Sequence, residues 1–179
     1  VTPLPGDFLV TPTYGNWRDR AAAWLIRYGT DSPVNHAALY VGAVDGYVVP
    51  QVVEAWPSGA RLSAWNSHPD CTWSTGRLPE GLVPGDVQRE RVVHAALGMV
   101  GVPYGWLDLV AITFAQKRLG QPVDGDEWWV RRIQSGRTLI CSQLVDRAYL
   151  SGGVHLFDDG RPDGLVSPGD LWRLLQPAG

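Results

Sequence analysis

The hydrophobic period of this chain changes at Pro84-Gly85-Asp86, and that change narrows the possible folds more than any other feature. Before it, apolar residues come in short runs broken by turn residues. Gly6–Val10, His36–Gly42, Val48-Val49 with Val52–Trp56, Ala60–Trp65 and Cys71–Leu78 all read as strands. Asp45-Gly46 signals a hairpin, and Pro50 marks a bulge or an exposed edge. After it, the spacing is helical. Asp86–Val100 places Val92, Val93, Ala96, Leu97 and Val100 on one face, and Gly101 and Pro103 stop it. Leu107–Leu119 and Glu127–Ile133 read as further helices. Thr138–Leu150 is expected to be capped by Thr138 and closed by Gly152-Gly153, and Ser167–Leu175 opens on Ser-Pro. One helix, Trp17–Tyr28, falls among the strands. The expectation is an α+β fold with helices packed on one side of an antiparallel sheet or partial barrel.

The chain has 179 residues, enough for one domain with its own core and too few for two ordinary ones. Single-domain organisation over residues 1–179 is therefore expected. Apolar residues at 45% and charged residues at 18% are a globular balance. A net charge of -3 gives no electrostatic footprint for nucleic acid. No apolar run approaches the roughly 20 residues that span a bilayer, so no transmembrane segment is expected. Val1-Thr2-Pro3-Leu4-Pro5 lacks the basic and apolar parts of a signal peptide. Localisation and oligomeric state stay open. Nine tryptophans serve either as core filling or as the walls of a groove for sugar or peptide.

Two cysteines, Cys71 and Cys141, cannot build a disulfide framework, although a single bridge between them is conceivable. There is no CxxC and no HExxH, so neither a metal nor any other cofactor is expected. Cys141 falls in the first turn of a helix, where unpaired N–H groups and the helix dipole favour a thiolate. A cysteine there can equally be a small apolar filler. His36 opens a strand after a loop and could take the thiol proton as general base. Such a histidine needs a partner on its far nitrogen. Glu54, the one charged residue in Val-Val-Glu-Ala-Trp, is the first candidate, unless it is an edge carboxylate facing water. Gln51 is the reserve. His68, His94 and His155 have no partner pattern and read as structural or exposed.

Four motifs occur in a telling order: Asn35–Gly42, then Val53-Glu54-Ala55 with Gly59-Ala60-Arg61-Leu62, then Gly101-Val102-Pro103-Tyr104, then Ile140–Val145. In this the chain resembles the circularly permuted branch of the NlpC-type papain-like cysteine hydrolases, the YiiX-like group distantly related to lecithin:retinol acyltransferase. The likeness runs from Gly6-Asp7 to about Leu174, but the Trp17–Tyr28 and Asp126–Arg132 stretches do not align. It implies a papain-like fold with Cys141 as nucleophile at a helix N-terminus, His36 as base and Glu54 as orienting acid. Tyr104 would aid the oxyanion or the substrate, although Pro-Tyr-Gly is also an ordinary loop. The implied activity is that of a cysteine peptidase or amidase acting on amide bonds of bacterial peptidoglycan. A lipid or lipoprotein amidase, thioesterase or acyltransferase is the alternative, and a non-catalytic binding module with the same fold is the second. A phage lytic enzyme or a processed secreted fragment would suit a cell-wall enzyme without a leader.

Overall fold

The computed structural model describes residues 2–13, 32–105, 131, 137–161 and 165–176. Five strands, β1 (Phe8–Thr11), β2 (His36–Gly42), β3 (Gln51–Trp56), β4 (Gly59–Ala64) and β5 (Thr72–Trp73), form one sheet in the order β4-β3-β2-β1-β5. Every pairing is antiparallel, and the described sheet is not closed into a barrel. A short 3-10 turn (Glu80–Leu82) leads into α1 (Asp86–Gly98), followed by α2 (Cys141–Ser151) and α3 (Pro168–Leu174). The molecule is thus mixed α+β, with its described strands before its described α-helices. The helices expected at Trp17–Tyr28, Leu107–Leu119 and, apart from Arg131, Glu127–Ile133 lie outside the described residues.

Alternation along β2 divides its side chains between two apolar clusters. Ala37, Leu39 and Val41 join the larger one, with Val92 and Ala96 of α1 and Leu144, Val145, Ala148 and Tyr149 of α2. Ala38 and Tyr40 turn to the other face, with Leu9 and Val52, under Trp65, Cys71 and Trp73. The helices therefore cover one face and a small aromatic cluster covers the other. The two cysteines belong to different clusters and are both free thiols, so the conceivable bridge is not made.

Several boundaries differ from the sequence expectation, each for a local reason. The strand expected over Cys71–Leu78 is only two residues long. A turn in which the Arg77 N–H bonds the Ser74 carbonyl ends it, with Gly76 at φ +68°. β3 begins at Gln51, so Val48-Val49 are loop residues, and Val48 is fully exposed. In α1 only Val92 and Ala96 are buried, while Leu97 is 37% exposed and Val100, beyond the helix end at Gly98, is 42% exposed. That helix meets α2 along a narrow contact. A β-carbon added at Gly152 would lie 2.5 Å from Val92 Cγ2.

The start of α2 matters most. Thr138 does not cap it, because the chain is still extended one residue later. Leu139 bridges to Tyr104, donating to the Pro103 carbonyl at 3.0 Å and accepting from the Gly105 N–H at 2.9 Å. Helix begins only after this bridge, with Ile140 as N-cap and its N–H held by Gln143 Oε1 at 2.9 Å. Cys141 is consequently the first helical residue. The far end closes at Gly152-Gly153 as expected, with Gly153 at φ +80°. Ser167 caps α3 with Pro168 behind it, the opening that Ser-Pro suggested.

Candidate active site

Strand register gathers one group of polar side chains on the sheet face away from the helices. Ala38 pairs with Glu54, Glu54 pairs with Arg61, and Val52 pairs with Ser63. By the two-residue alternation of strands, His36, Glu54, Arg61 and Ser63 share one face near one end of the sheet. The loop after β4 then folds back and brings His68 to the same place.

Glu54 is the hub of the group. Its Oε2 accepts from His36 Nε2 at 2.7 Å and from His68 Nε2 at 2.9 Å. Its Oε1 accepts from the Ser63 hydroxyl and lies 3.5 Å from Arg61 Nη2. A carboxylate only 1% exposed would be costly to bury alone, but here both oxygens are fully engaged. Burial pushes its titration upward, yet the bonds from His36, His68 and Ser63 outweigh that and hold the carboxyl well below the usual carboxylate range. Glu54 is a fixed anion, not the water-facing edge carboxylate.

His36 is the first residue of β2, opposite Thr11, with its ring 5.2 Å from that of Trp56 and itself 5% exposed. With Nε2 committed to Glu54, Nδ1 is the ring nitrogen left over, and Cys141 lies near enough to the ring to raise its titration. Burial works against the imidazolium. The hydrogen bonds and charges of Cys141 and Glu54 overcome it and raise the pKa from 6.5 to about 9. Ring and buried anion are thus in direct contact, with Cys141 within electrostatic reach of the ring.

Tyr104 bridges to Leu139, which precedes the nucleophile candidate by two residues in sequence, and its side chain packs against the cluster containing Cys141. Gln51 is elsewhere. Its amide donates to the carbonyls of Val49 and Pro50 at 2.7 and 3.3 Å, so the reserve residue is not on His36. His68, read from sequence as structural or exposed, is in the site with 9% exposure. Sequence reading also missed Ser63 and Arg61. A two-residue turn pairing Trp56 with Gly59 counts back to Glu54 opposite Arg61, so that pair was recoverable from the hairpin. Nothing local marks His68, which arrives through a loop.

A cavity of about 360 Å³ opens beside the group. Its walls include Thr13, Trp56, Arg61, Ser67, His68 and Asp70, and the Arg61 guanidinium sits 5.1 Å above the Trp56 ring. The Trp56 indole N–H is buried without an acceptor among the described residues. Cys141 itself is 1% exposed and does not line this cavity. The sulfur is therefore more enclosed than the open cleft that a nucleophile next to a groove suggests. Among the described residues no helix is long and apolar enough to cross a membrane. The chain matches no protein-family model and no curated protein.

Proposed function

We propose that the chain is a cysteine-dependent hydrolase of amide bonds with a permuted papain-like (NlpC-type) fold, acting on the peptide part of bacterial peptidoglycan. One observation carries this reading: the His36 ring is fixed through Nε2 on buried Glu54 at 2.7 Å and lies close enough to Cys141, the first residue of α2, for the sulfur to raise its pKa. Glu54 orients the ring and favours its charged form, as the third group of a triad does. In the reaction, His36 takes the Cys141 proton and Sγ attacks the carbonyl carbon. The tetrahedral oxyanion collapses to a thioester as His36 protonates the leaving amine. Water activated by His36 then frees the acid. N–H groups at the start of α2 have no helical acceptors, so they are suited to the oxyanion, and Tyr104 stands on the adjoining segment.

The choice of a peptide over a lipid acyl chain rests on the family resemblance, and Arg61, Ser67, His68 and Asp70 on the wall of the neighbouring cavity offer hydrogen-bonding groups to such a chain. The test is to incubate purified peptidoglycan, and in parallel acylated lipids, with the protein and with Cys141→Ala. Products are then identified by mass. The proposal expects new amino and carboxyl ends in the peptide stems from the unmutated chain only. Stems left intact, or cut equally by both proteins, would reject it. Release of acyl chains from the lipid alone would move the substrate to that class.

A further inference from the structure

The geometry points to a binding site for zinc, or a similar transition-metal dication, at His36, Glu54 and His68, occupied in place of the hydrogen bonds that now join them. The three donor atoms lie within 4.8 Å of one another, and all three residues are buried. Two imidazoles and one carboxylate are a donor set that zinc takes in open, four-coordinate sites, at about 2.0–2.2 Å per bond. Around a tetrahedral ion of that size, neighbouring donors stand roughly 3.3 Å apart. The Nε2–Oε2 separations of 2.7 and 2.9 Å need to open by only about half an ångström.

Three further features suit an ion here. Ser63 and Arg61 hold the second carboxylate oxygen, the kind of outer support that orients metal ligands. The cavity wall includes both Glu54 and His68, giving a path for the ion and room for water as fourth ligand. Asp70 on the same wall adds negative charge against the cation. A metal motif was absent from the sequence because the ligands come from β2, β3 and the loop after β4.

Coordination changes no oxidation state: a neutral ring moves its Nε2 proton to Nδ1, and a charged ring releases its Nε2 proton to solvent and keeps the one on Nδ1. The metal takes the Nε2 lone pair, so in either case the proton that remains on the ring is on Nδ1. For His36 that is the nitrogen left over. On the hydrolase reading above, on which this consequence rests, a ring so protonated cannot accept the thiol proton. Metal binding and base catalysis become mutually exclusive states of one cluster.

The test uses the whole chain, stripped with a chelator and titrated with zinc alone by calorimetry, then with cobalt to record its visible spectrum. The site predicts one zinc per chain, undiminished in Cys141→Ala and weakened at least about tenfold in His68→Gln. The cobalt spectrum of the unmutated chain should show ligand-field bands without thiolate charge transfer, a readout that does not depend on a variant folding. No stoichiometric uptake, uptake indifferent to His68→Gln, or uptake lost with Cys141 would each overturn the site. Absence of zinc uptake beside a reactive Cys141 would sink the metal site alone. Zinc uptake beside an inert Cys141 would sink the hydrolase reading alone.

Discussion

Replacing Glu54 with glutamine should pull the titration of His36 down and loosen its hold on Cys141. In the unmutated chain burial disfavours the charged ring, and Cys141 and Glu54 together more than reverse this, raising the pKa to about 9. The distance from the ordinary histidine value of 6.5 corresponds to on the order of 3 kcal/mol, at about 1.4 kcal/mol per pH unit. Glutamine keeps the size of the side chain and an oxygen that can accept from Nε2. It removes the charge, while the burial of the ring stays. An opposite charge at hydrogen-bond range typically moves a pKa by about 1–3. The His36 midpoint in Glu54→Gln should accordingly fall by at least about one pH unit. Imidazole NMR signals, followed against pH with a chelator present and assigned with His36→Gln, would measure it. A midpoint that stays near 9 in the variant, or that is already near 6.5 in the unmutated chain, would refute the reasoning.

The same shift ties stability to pH. A raised histidine pKa contributes stability that is complete below 6.5 and lost as the pH climbs through about 9. The depressed Glu54 contributes stability present above 4.5 and lost as the pH falls further. Denaturant melts should therefore peak between about 4.5 and 6.5, and a profile flat through 9 would contradict the pairing. Turnover on the substrate identified above should drop by a factor of about 10 or more in Glu54→Gln with the fold intact. Unchanged turnover would remove Glu54 from the reaction. Gly152→Ala forces a β-carbon to 2.5 Å from Val92 Cγ2 and 3.1 Å from the Gln88 carbonyl, and should destabilise by about 1–3 kcal/mol. A melting curve unchanged by that substitution would mean that α1 and α2 can part without cost.

What could be read beforehand was whatever depends on local pattern. Strand β2 carries its evidence in seven consecutive residues, and its bounds in the structure are those expected from the sequence. Ser167-Pro168 and Gly152-Gly153 mark helix ends through backbone chemistry that needs no tertiary partner. Errors arose where distant segments decided the outcome. Thr138 looked like a cap because the bridge from Leu139 to Tyr104 spans residues far apart in sequence. Leu97 and Val100 fit the helical period of α1, but the neighbour that would bury them is missing from that side among the described residues. The meeting of His36, Glu54 and Cys141 could be guessed from residue chemistry and the order of motifs. The arrival of His68 could not, since a loop sets its position and no periodicity records it.

The alkylation rate of Cys141, measured by mass spectrometry at neutral pH with iodoacetamide, tests the pairing of thiol and imidazole most directly. Cys71 is the internal control, and it is the more accessible of the two thiols. If His36 activates the sulfur, Cys141 should react faster than Cys71 despite its 1% exposure, and His36→Ala should slow Cys141 alone. Equal rates at both thiols, unaltered by His36→Ala, would leave a folded module with no nucleophile.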